Sequence, residues 1–374
     1  MRVALVHDWL TGMRGGEKVL LSLARLFPDA PIFTLLHVGG SVDAEIEART
    51  IHTSFAQRLP ALERRYRHYL PLFPAAAASL DLEGFDLVVS SSHCAAKGVR
   101  AAEGAVHVCY CHTPMRYVWD RFDDYFGPGR VSPLARVAIG IVARYLRAWD
   151  VATSAGVDAF VANSDFVAAR IDRLYGRSAR VIPPPVDTDF FTPGDGVPGT
   201  YDLVVSALAP YKRLDLVLEA YRGTGWPLRI VGTGPEEERL RRLAPAEVQF
   251  LGRVSDLELR DLYRGCRTVV MASVEDFGIV PLEAMACGRP AVVFGEGGGP
   301  ESVVEGETGL VFREATPACL RATVDSMRAL RFNGDALRAR SEAFRRPVFE
   351  ARLRAFVEEV VSAPRGRFRR PTAW

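Results

Sequence analysis

Two carboxylates lie eight positions apart in residues 275–288, which read EDFGIVPLEAMACG. Pro281 suits the first turn of a helix and Gly288 suits its end. Glu283 is therefore predicted on a short apolar helix, and Glu275 in the loop before it. A carboxylate among apolar neighbours needs hydrogen-bond donors, and sugar hydroxyls are good donors. The segment predicts a polyol pocket beside a helix N-terminus, although a hydrolase with paired carboxylates stays open on these residues alone.

Two cations, Lys212 and Arg213, precede a predicted helix in SALAPYKRLDLVLEAY (206–221). Positive charge at a helix N-terminus opposes the helix dipole and is unfavourable unless an anion lies there. A diphosphate would supply that anion, because lysine and arginine donate charge-assisted hydrogen bonds to phosphate oxygens. The pair predicts a phosphate site, with solvated side chains as the alternative.

Gly15 and Gly16 follow the first predicted strand and precede a helical pattern. Glycines at this place bring backbone N–H groups at the positive helix end close to a phosphate, and a plain tight turn is the alternative. This stretch after the first strand contains neither the G-x-G-x-x-G fingerprint nor the phosphate loop ending in Gly-Lys-Ser/Thr, which weakens an NAD-linked dehydrogenase and a P-loop enzyme.

Short apolar runs alternate with helical patterns along the chain, which is typical of parallel sheets built from βαβ units. The runs are nearly continuous in apolar residues, as in strands buried on both faces. They span residues 3–7, 32–36, 86–91, 106–111, 159–164 and 179–183 in the first half, and 202–208, 228–232, 248–252, 268–273 and 291–294 in the second.

Residues 182–199 read IPPPVDTDFFTPGDGVPG and cannot continue a helix or a strand, so they predict a domain boundary. The predicted domains are 1–185, 186–345 and a final segment, 346–374, whose helix packs back toward the N-terminal domain and ends in a basic tail. Two doubly wound domains joined by such a hinge predict a cleft between their strand carboxyl ends, where such sheets bind ligands.

The composition is that of an ordinary globular protein, with 374 residues, 48% hydrophobic and 25% charged. No stretch is apolar over the ~18 residues that a membrane span needs, and the N-terminus does not read as a signal peptide, so the sequence predicts a cytoplasmic protein. A net charge of +2 gives no sign of nucleic-acid binding. Cys109, Cys111 and His112 lack a second ligand pair, so alternation along a strand explains them better than a metal site.

Two segments mix basic and aromatic residues, RRYRHYLPLF at 64–73 and RGRFRRPTAW at 365–374. Basic residues beside aromatic ones suit an anionic membrane surface. A solvated helix face and a frayed tail are the alternative.

Over about residues 1–360, the chain resembles the retaining glycosyltransferases of the GT-B fold, family 4. Four motifs of that family occur in order, namely GGEKVL, APYKR, EDFGIVPLE and GGPESVVEGETGLVF. The resemblance implies an α/β architecture of two Rossmann-like, doubly wound parallel-sheet domains facing a central cleft. YCHTPMRYVWD (110–120) and ALAPYKRLD are more narrowly similar to bacterial mannosyltransferases that use GDP-mannose to build O-antigen and exopolysaccharide repeats.

The resemblance also implies roles for individual residues. Glu275 would hold hydroxyls of the donor sugar, and Glu283 would bind the nucleotide ribose. Lys212 would neutralise the diphosphate, with Arg213 as a second cation because the arginine that many members carry five residues earlier is Ala207 here. The remaining donor-binding candidates are Gly15, Gly16, Gly252, Arg253, Val254, Phe277, Gly278, Ile279 and Val280.

His112 matches a family histidine that lies at the sugar from the opposite domain and is commonly essential. Its alternative is a histidine at a strand end, packed against Tyr117 or Trp119. Arg116 and Asp120 are secondary candidates that could reach the sugar or the acceptor, or pair with one another.

The activity implied is transfer of a hexose, mannose in particular, from GDP-mannose to a polyprenyl-diphosphate-linked saccharide, with retention of configuration and without a metal. The place of action would be the cytoplasm, or the inner face of the cell membrane. Alternatives are a UDP-sugar donor with another acceptor, and a non-catalytic sugar-nucleotide-binding protein on the same fold.

Overall fold

The computed structural model describes residues 1–127, 131–194, 199–364 and 366–368. It divides the chain into two compact units. The first unit comprises residues 1–185 and the C-terminal stretch from residue 349, and the second comprises residues 186–348. The first unit is therefore built from two separate stretches of sequence.

Each unit has one fully parallel sheet. The first sheet has the order β3-β2-β1-β4-β5-β6-β7, and the second has the order β10-β9-β8-β11-β12-β13. The strands are β1 Val3–His7, β2 Ile32–Thr34, β3 Ile51–Thr53, β4 Leu87–Ser92, β5 Val106–Cys111, β6 Ala159–Ala162, β7 Ala179–Val181, β8 Asp202–Val205, β9 Leu228–Val231, β10 Val248–Gly252, β11 Val269–Met271, β12 Ala291–Phe294 and β13 Gly309–Phe312. The predicted fold class is confirmed.

Helices connect the strands and cover the sheets. They are α1 Gly15–Leu26, α2 Ala44–Glu47, α3 Leu62–Arg65, α4 Phe73–Ala78, α5 Phe122–Phe126, α6 Pro133–Ser154, α7 Asp165–Tyr175, α8 Leu214–Tyr221, α9 Glu237–Leu243, α10 Asp256–Gly265, α11 Ile279–Ala286, α12 Pro317–Ala329, α13 Gly334–Glu342 and α14 Arg346–Ser362. Short 3-10 helices include Tyr66–Leu72, Ala96–Gly98 and Pro210–Lys212. None of the helices in these described stretches is both long and apolar enough to cross a bilayer.

Alternate side chains along the strands of the first sheet pack into two different hydrophobic cores, one on each face. Leu5 and Val89 point to the side covered by α1 and by α14, where Phe349 joins the same cluster. Val6 and Val88 point to the other side, which is covered by residues 56–82 and α6. Strands buried on both faces explain why the sequence shows continuous apolar runs there.

All eleven predicted strands overlap an observed strand, and two observed strands were not predicted. β3 lies at the edge of its sheet and contributes one partly buried isoleucine followed by two exposed residues, so it leaves no apolar run to recognise. β13 also lies at an edge and follows a glycine-rich segment. Edge strands need less burial and therefore carry a weaker sequence pattern.

Candidate functional site

In the second unit, the structure brings together Lys212 and Glu275, which are 63 positions apart. Lys212 Nζ lies 2.6 Å from Glu275 Oε1, and each side chain is 16% exposed. Lys212 ends the 3-10 helix after β8, and Glu275 follows β11, the neighbour of β8 in the sheet. Because parallel strands end at the same edge, the loops that carry the two residues are adjacent. The Ser273 hydroxyl donates a further hydrogen bond to Glu275.

A glycine loop fixes the backbone at Glu275. The N–H of Gly298 donates to the carbonyl oxygen of Glu275 at 2.7 Å. A Cβ at Gly297 would lie 2.5 Å from that oxygen, and one at Gly298 would lie 2.4 Å from the oxygen of Asp276. Neither position has room for a side chain, so the run of glycines in the sequence corresponds to direct backbone packing.

Helix α11 begins beside this loop. Its N-cap is Gly278 with φ +95°, and no side chain caps the helix, so the first N–H groups of α11 face outward with the positive end of the helix dipole. Phe277 is buried under the turn. Such an arrangement suits an anionic group such as a phosphate.

Glu283 lies on α11 and is 5% exposed. Its carboxylate accepts a hydrogen bond of 2.9 Å from the Tyr263 hydroxyl of α10. Burial, and then the charge of Glu283, raise the pKa of Tyr263 well above its usual value, so Tyr263 stays a donor at neutral pH. A buried carboxylate thus finds a donor within the protein, and its predicted contact with ribose stays a prediction.

The other donor-binding candidates of this unit occupy two loops. Arg213 has a left-handed backbone, and its Nε lies 3.4 Å from Asp215, which turns the guanidinium toward a neighbouring carboxylate. Gly252 also has positive φ, and the exposed Arg253 follows it. Val254 packs in the core cluster beside β8 and α10.

In the first unit, His112 belongs to a buried chain of hydrogen bonds. Nε2 of His112 lies 2.8 Å from Ser91 Oγ, and Nδ1 of His7 lies 3.1 Å from the same oxygen. A hydroxyl has one hydrogen, so Ser91 donates to one imidazole and accepts from the other. The tautomers of the two histidines are therefore linked.

Glu17 lies at the His7 end of this chain. Its Oε1 lies 3.9 Å from Nε2 of His7, and both residues are almost fully buried. Burial alone would raise the pKa of Glu17, but His7, a backbone hydrogen bond and His93 together lower it, so the carboxylate is ionised at neutral pH. At 3.9 Å the contact is longer than a hydrogen bond, so Glu17 acts on His7 through its charge.

His112 itself is neutral at physiological pH. Burial, followed by the positive charge that His93 and His7 can carry, holds the pKa of His112 well below its usual value. A neutral imidazole offers one donor and one acceptor rather than a fixed charge. His112 is thus suited to hydrogen bonding with a substrate hydroxyl rather than to neutralising phosphate.

Asp8 is fully buried and holds the loop after β4. Its carboxylate accepts four backbone N–H groups, those of residues 93–96, at 2.5–3.0 Å. It also lies 3.0 Å from Nδ1 of His93. Although burial opposes ionisation, His93 and these hydrogen bonds hold the pKa of Asp8 well below its usual range. The sequence analysis assigned no role to Asp8, Glu17, His7 or Ser91.

The sequence indicates the cluster of His7, Asp8, Ser91 and His112 only when it is read together with the order of the strands in the sheet. His7 is the last residue of β1 and Asp8 follows it, Ser91 is the penultimate residue of β4, and His112 follows β5. These three strands are neighbours in the sheet, so polar residues at their carboxyl ends meet.

The two glycines at the start of α1 differ in their surroundings. A Cβ at Gly16 would lie 3.4 Å from His7 Cε1 and 3.7 Å from His112 Nε2. A Cβ at Gly15 would meet nothing within 4 Å. Gly16 therefore keeps open the space in front of the histidines.

The secondary candidates after β5 are engaged with α7. Asp120 forms ion pairs with Arg170 and with Arg173, the latter at 2.8 Å, and Arg170 also donates to the Thr113 hydroxyl at 2.7 Å. These contacts favour a structural role for Asp120. Arg116 lies in the same loop, and its N-terminal neighbour Met115 is buried.

The cysteines before His112 have buried side chains on β5. Within the described ranges, no group of three His, Cys, Asp or Glu side chains is arranged to hold a metal ion. Most of the predicted membrane-binding tail, residue 365 and residues 369–374, lies outside the described residues, as does the side chain of Arg64.

Two family models match the chain in succession. The model for Glycosyltransferase Family 4 matches residues 13–190, and the model for Glycosyl transferases group 1 matches residues 197–341. The first match contains Glu17, Ser91 and His112, and the second contains Lys212, Glu275 and Glu283.

Two relatives bear the name D-inositol 3-phosphate glycosyltransferase. The one from Acidothermus cellulolyticus is 34% identical over a segment covering 44% of this chain and 44% of its own. The one from Mycobacterium tuberculosis is 36% identical over 41% of this chain and 37% of its own. The matched segments span less than half the length of these relatives.

Three solved structures share the fold at low sequence identity. Anabaena HepE in complex with UDP-glucose has a TM-score of 0.68 at 16% identity and covers 96% of this chain and 100% of its own. Sucrose-phosphate synthase from Thermosynechococcus elongatus has a TM-score of 0.72 at 16% identity, with 97% and 100% covered. The lipopolysaccharide outer core galactosyltransferase WaaB has a TM-score of 0.64 at 16% identity, with 96% and 99% covered. The chain thus has the GT-B fold and carries a region that matches glycosyltransferase family 4, followed by a region that matches glycosyl transferases group 1.

Proposed function

We propose that the chain is a retaining glycosyltransferase that uses a nucleoside diphosphate sugar. The observation that carries the proposal is the Lys212–Glu275 pair at 2.6 Å, partly exposed, beside the uncapped N-terminus of α11. A cation and helix N–H groups suit a diphosphate, and a carboxylate beside them suits sugar hydroxyls. On donor binding, phosphate would replace Glu275 as the partner of Lys212 and free Glu275 for the sugar.

The chemistry follows from these groups. The bond between the anomeric carbon and the diphosphate oxygen breaks, and a bond between that carbon and the acceptor oxygen forms. Negative charge grows on the leaving diphosphate, where Lys212 and the α11 N–H groups stabilise it. The acceptor hydroxyl gives its proton to the leaving phosphate. In the first unit, neutral His112 would hydrogen-bond to substrate.

This scheme assigns the charge stabilisation to protein groups, so we propose that no divalent metal is required. Transfer rates measured with EDTA and with added Mg²⁺ should agree within about twofold, because a metal-dependent enzyme would lose charge stabilisation worth several kcal/mol. A rate restored only by metal would contradict this part of the proposal.

For the donor we propose GDP-mannose, on the resemblance of residues 110–120 and 207–215 to mannosyltransferases. A UDP-sugar is the second candidate, because the structural neighbour HepE was solved with UDP-glucose. Isothermal titration with GDP and UDP separates the two. Tighter binding of UDP would reject the mannose assignment, and binding of neither would reject the donor site.

For the acceptor we propose a polyprenyl-diphosphate-linked saccharide, with the reaction at the inner face of the cell membrane. The two relatives are named for D-inositol 3-phosphate, which provides a soluble comparison acceptor. A donor and acceptor screen with NMR of the product decides between them. If no donor in the screen were transferred or hydrolysed, a sugar-nucleotide-binding protein would replace the enzyme.

A further inference from the structure

Helix α6 exposes a row of large apolar side chains. Leu134 is 82% exposed, Val137 64%, Ile141 66% and Tyr145 51%. Their spacing of three, four and four positions places all four on one side of the helix. The row extends over about 16 Å along the helix axis.

The remainder of the outer face is also nearly free of charge. Ala138 and Ala148 are exposed there, and Arg144 is the one charged residue among the exposed positions from 137 to 148. The opposite side of α6 packs against the rest of the first unit, since Ala143 and Leu146 are buried in the core on one face of the first sheet. The outer face is therefore held in place and open to solvent.

The charged residues of α6 that are not buried are arginines. No Asp or Glu occurs between Asp124 and Asp150, whereas Arg136, Arg144 and Arg147 occur in that stretch. Asp123, which precedes it, is bound to Arg136 at 2.9 Å. An apolar face with basic and no acidic residues suits the boundary between acyl chains and anionic headgroups.

A second segment with the same chemistry packs on the same core. The 3-10 helix Tyr66–Leu72 buries Tyr66 in the cluster that receives Leu146. It exposes Arg67, His68 and Leu72. Basic and apolar side chains thus flank the same side of the first sheet.

We propose that the outer face of α6 docks on an anionic lipid bilayer, with the helix lying in the plane of the interface. A second copy of the chain fits less well, because a two-fold contact would bring together two faces that carry arginine and no exposed acidic residue. The proposal depends only on the exposed face of α6 and not on the proposed reaction. Its test needs no glycosyl transfer, so failure of the proposed reaction would leave it standing.

The experiment measures binding of the full chain to vesicles of phosphatidylglycerol and phosphatidylcholine by co-sedimentation. The variant Leu134→Gln, Val137→Gln, Ile141→Gln and Tyr145→Gln keeps a good helix former at each site. We expect its partition coefficient to fall by about a hundredfold or more, because four buried apolar side chains are lost. The control is Leu257→Gln with Leu330→Gln, at residues 58% and 47% exposed in the second unit, and it should bind as the parent does.

Charge is tested separately with Arg144→Glu, which should weaken binding to the anionic vesicles by about tenfold and binding to pure phosphatidylcholine far less. Its control is Arg352→Glu on α14, which lies on the other side of the first sheet. Circular dichroism and nucleoside diphosphate binding should stay at parental values in all four variants.

Two results would overturn the proposal. One is equal sedimentation of the parent and the fourfold variant with anionic vesicles. The other is a dimer in analytical ultracentrifugation that the fourfold variant loses, in a parent that does not bind vesicles.

Discussion

At the scale of residues, the ion pair Lys212–Glu275 joins the cation and the carboxylate on which the proposed function rests. The two side chains are in direct contact at a partly exposed site. The motif spacing predicted both residues, because each lies in a segment with a recognisable loop-to-helix pattern. The spacing did not predict the Arg213 contact with Asp215, because a left-handed backbone at a non-glycine residue has no reliable sequence signal.

Lys212→Ala should lower kcat by about 10²–10³-fold, because it removes charge stabilisation that grows as the diphosphate leaves. Affinity for the free nucleoside diphosphate should fall as well. Arg213→Ala is the neighbouring comparison and should cost less than about fivefold, since an exposed pair contributes little. Steady-state kinetics and titration calorimetry give both numbers, and equal losses in the two variants would assign Arg213 to the phosphate instead.

Ser91→Ala should break the link between His7 and His112. We expect kcat to fall by about tenfold and its pH profile to shift, because the His112 tautomer is no longer fixed. The control is Ser90→Ala, since Ser90 is equally buried on the same strand but bonds to His107 at 2.8 Å. Both should lose about 1 kcal/mol of stability. A similar kinetic loss in Ser90→Ala would show that the effect is structural.

At the scale of elements, the carboxyl ends of the parallel strands position the polar side chains of the candidate site in each unit. The sheet order was not readable from the sequence, so Glu17, His7 and Ser91 looked like isolated polar residues in apolar segments. The face of α6 was missed for a related reason. Its pattern shows an apolar helix, and only the packing of Ala143 and Leu146 shows which side is covered.

Gly16→Ala tests the start of α1. Alanine should leave stability unchanged or raise it slightly, because alanine favours a helix over glycine. Turnover should nevertheless fall by at least about tenfold, since the new methyl group occupies the space in front of His7 and His112 and displaces a positioned substrate. Gly334→Ala, in the first turn of α13 with nothing within 4 Å, is the matched control for helix stability. Unchanged turnover in Gly16→Ala would place the substrate elsewhere.

Asp8→Asn tests the anchor between β1 and the loop after β4. An amide keeps the shape but loses the charge that four N–H donors and His93 face, so stability should fall by about 3 kcal/mol. Urea unfolding measures the loss. Asp81→Asn, at an exposed turn, should stay within about 0.5 kcal/mol, and an equal loss there would remove the argument.

At the scale of the whole molecule, the two units should respond differently to acid. In the first unit, Asp8 and Glu17 have lowered pKa values and His112 has a lowered pKa too. All three groups bind protons more readily in the unfolded chain than in the folded one. Their contribution to the free energy of unfolding is therefore fully present above about pH 6.5 and declines as the pH falls. The contribution of His112 is lost first, and those of the two carboxylates are lost below about pH 4.5. In the second unit, burial raises the pKa of Asp202, so its contribution has the opposite sign.

Hydrogen exchange at pH 7 and below pH 5 should therefore show the first unit losing protection before the second. Exchange rates must be corrected for their intrinsic dependence on pH. His112→Asn should reduce the loss between pH 6.5 and 5, while a matched change at exposed His68 should not alter it. Earlier opening of the second unit would contradict this assignment.

The broken sequence of the first unit has a consequence for synthesis on the ribosome. Its core requires Phe349, Leu353 and Phe356, which are translated after the entire second unit. The second unit is continuous, so it is the first that can complete its core as the chain emerges. The half of the protein that is made first is therefore the half that finishes folding last, and one face of its sheet stays only partly covered until α14 has been made.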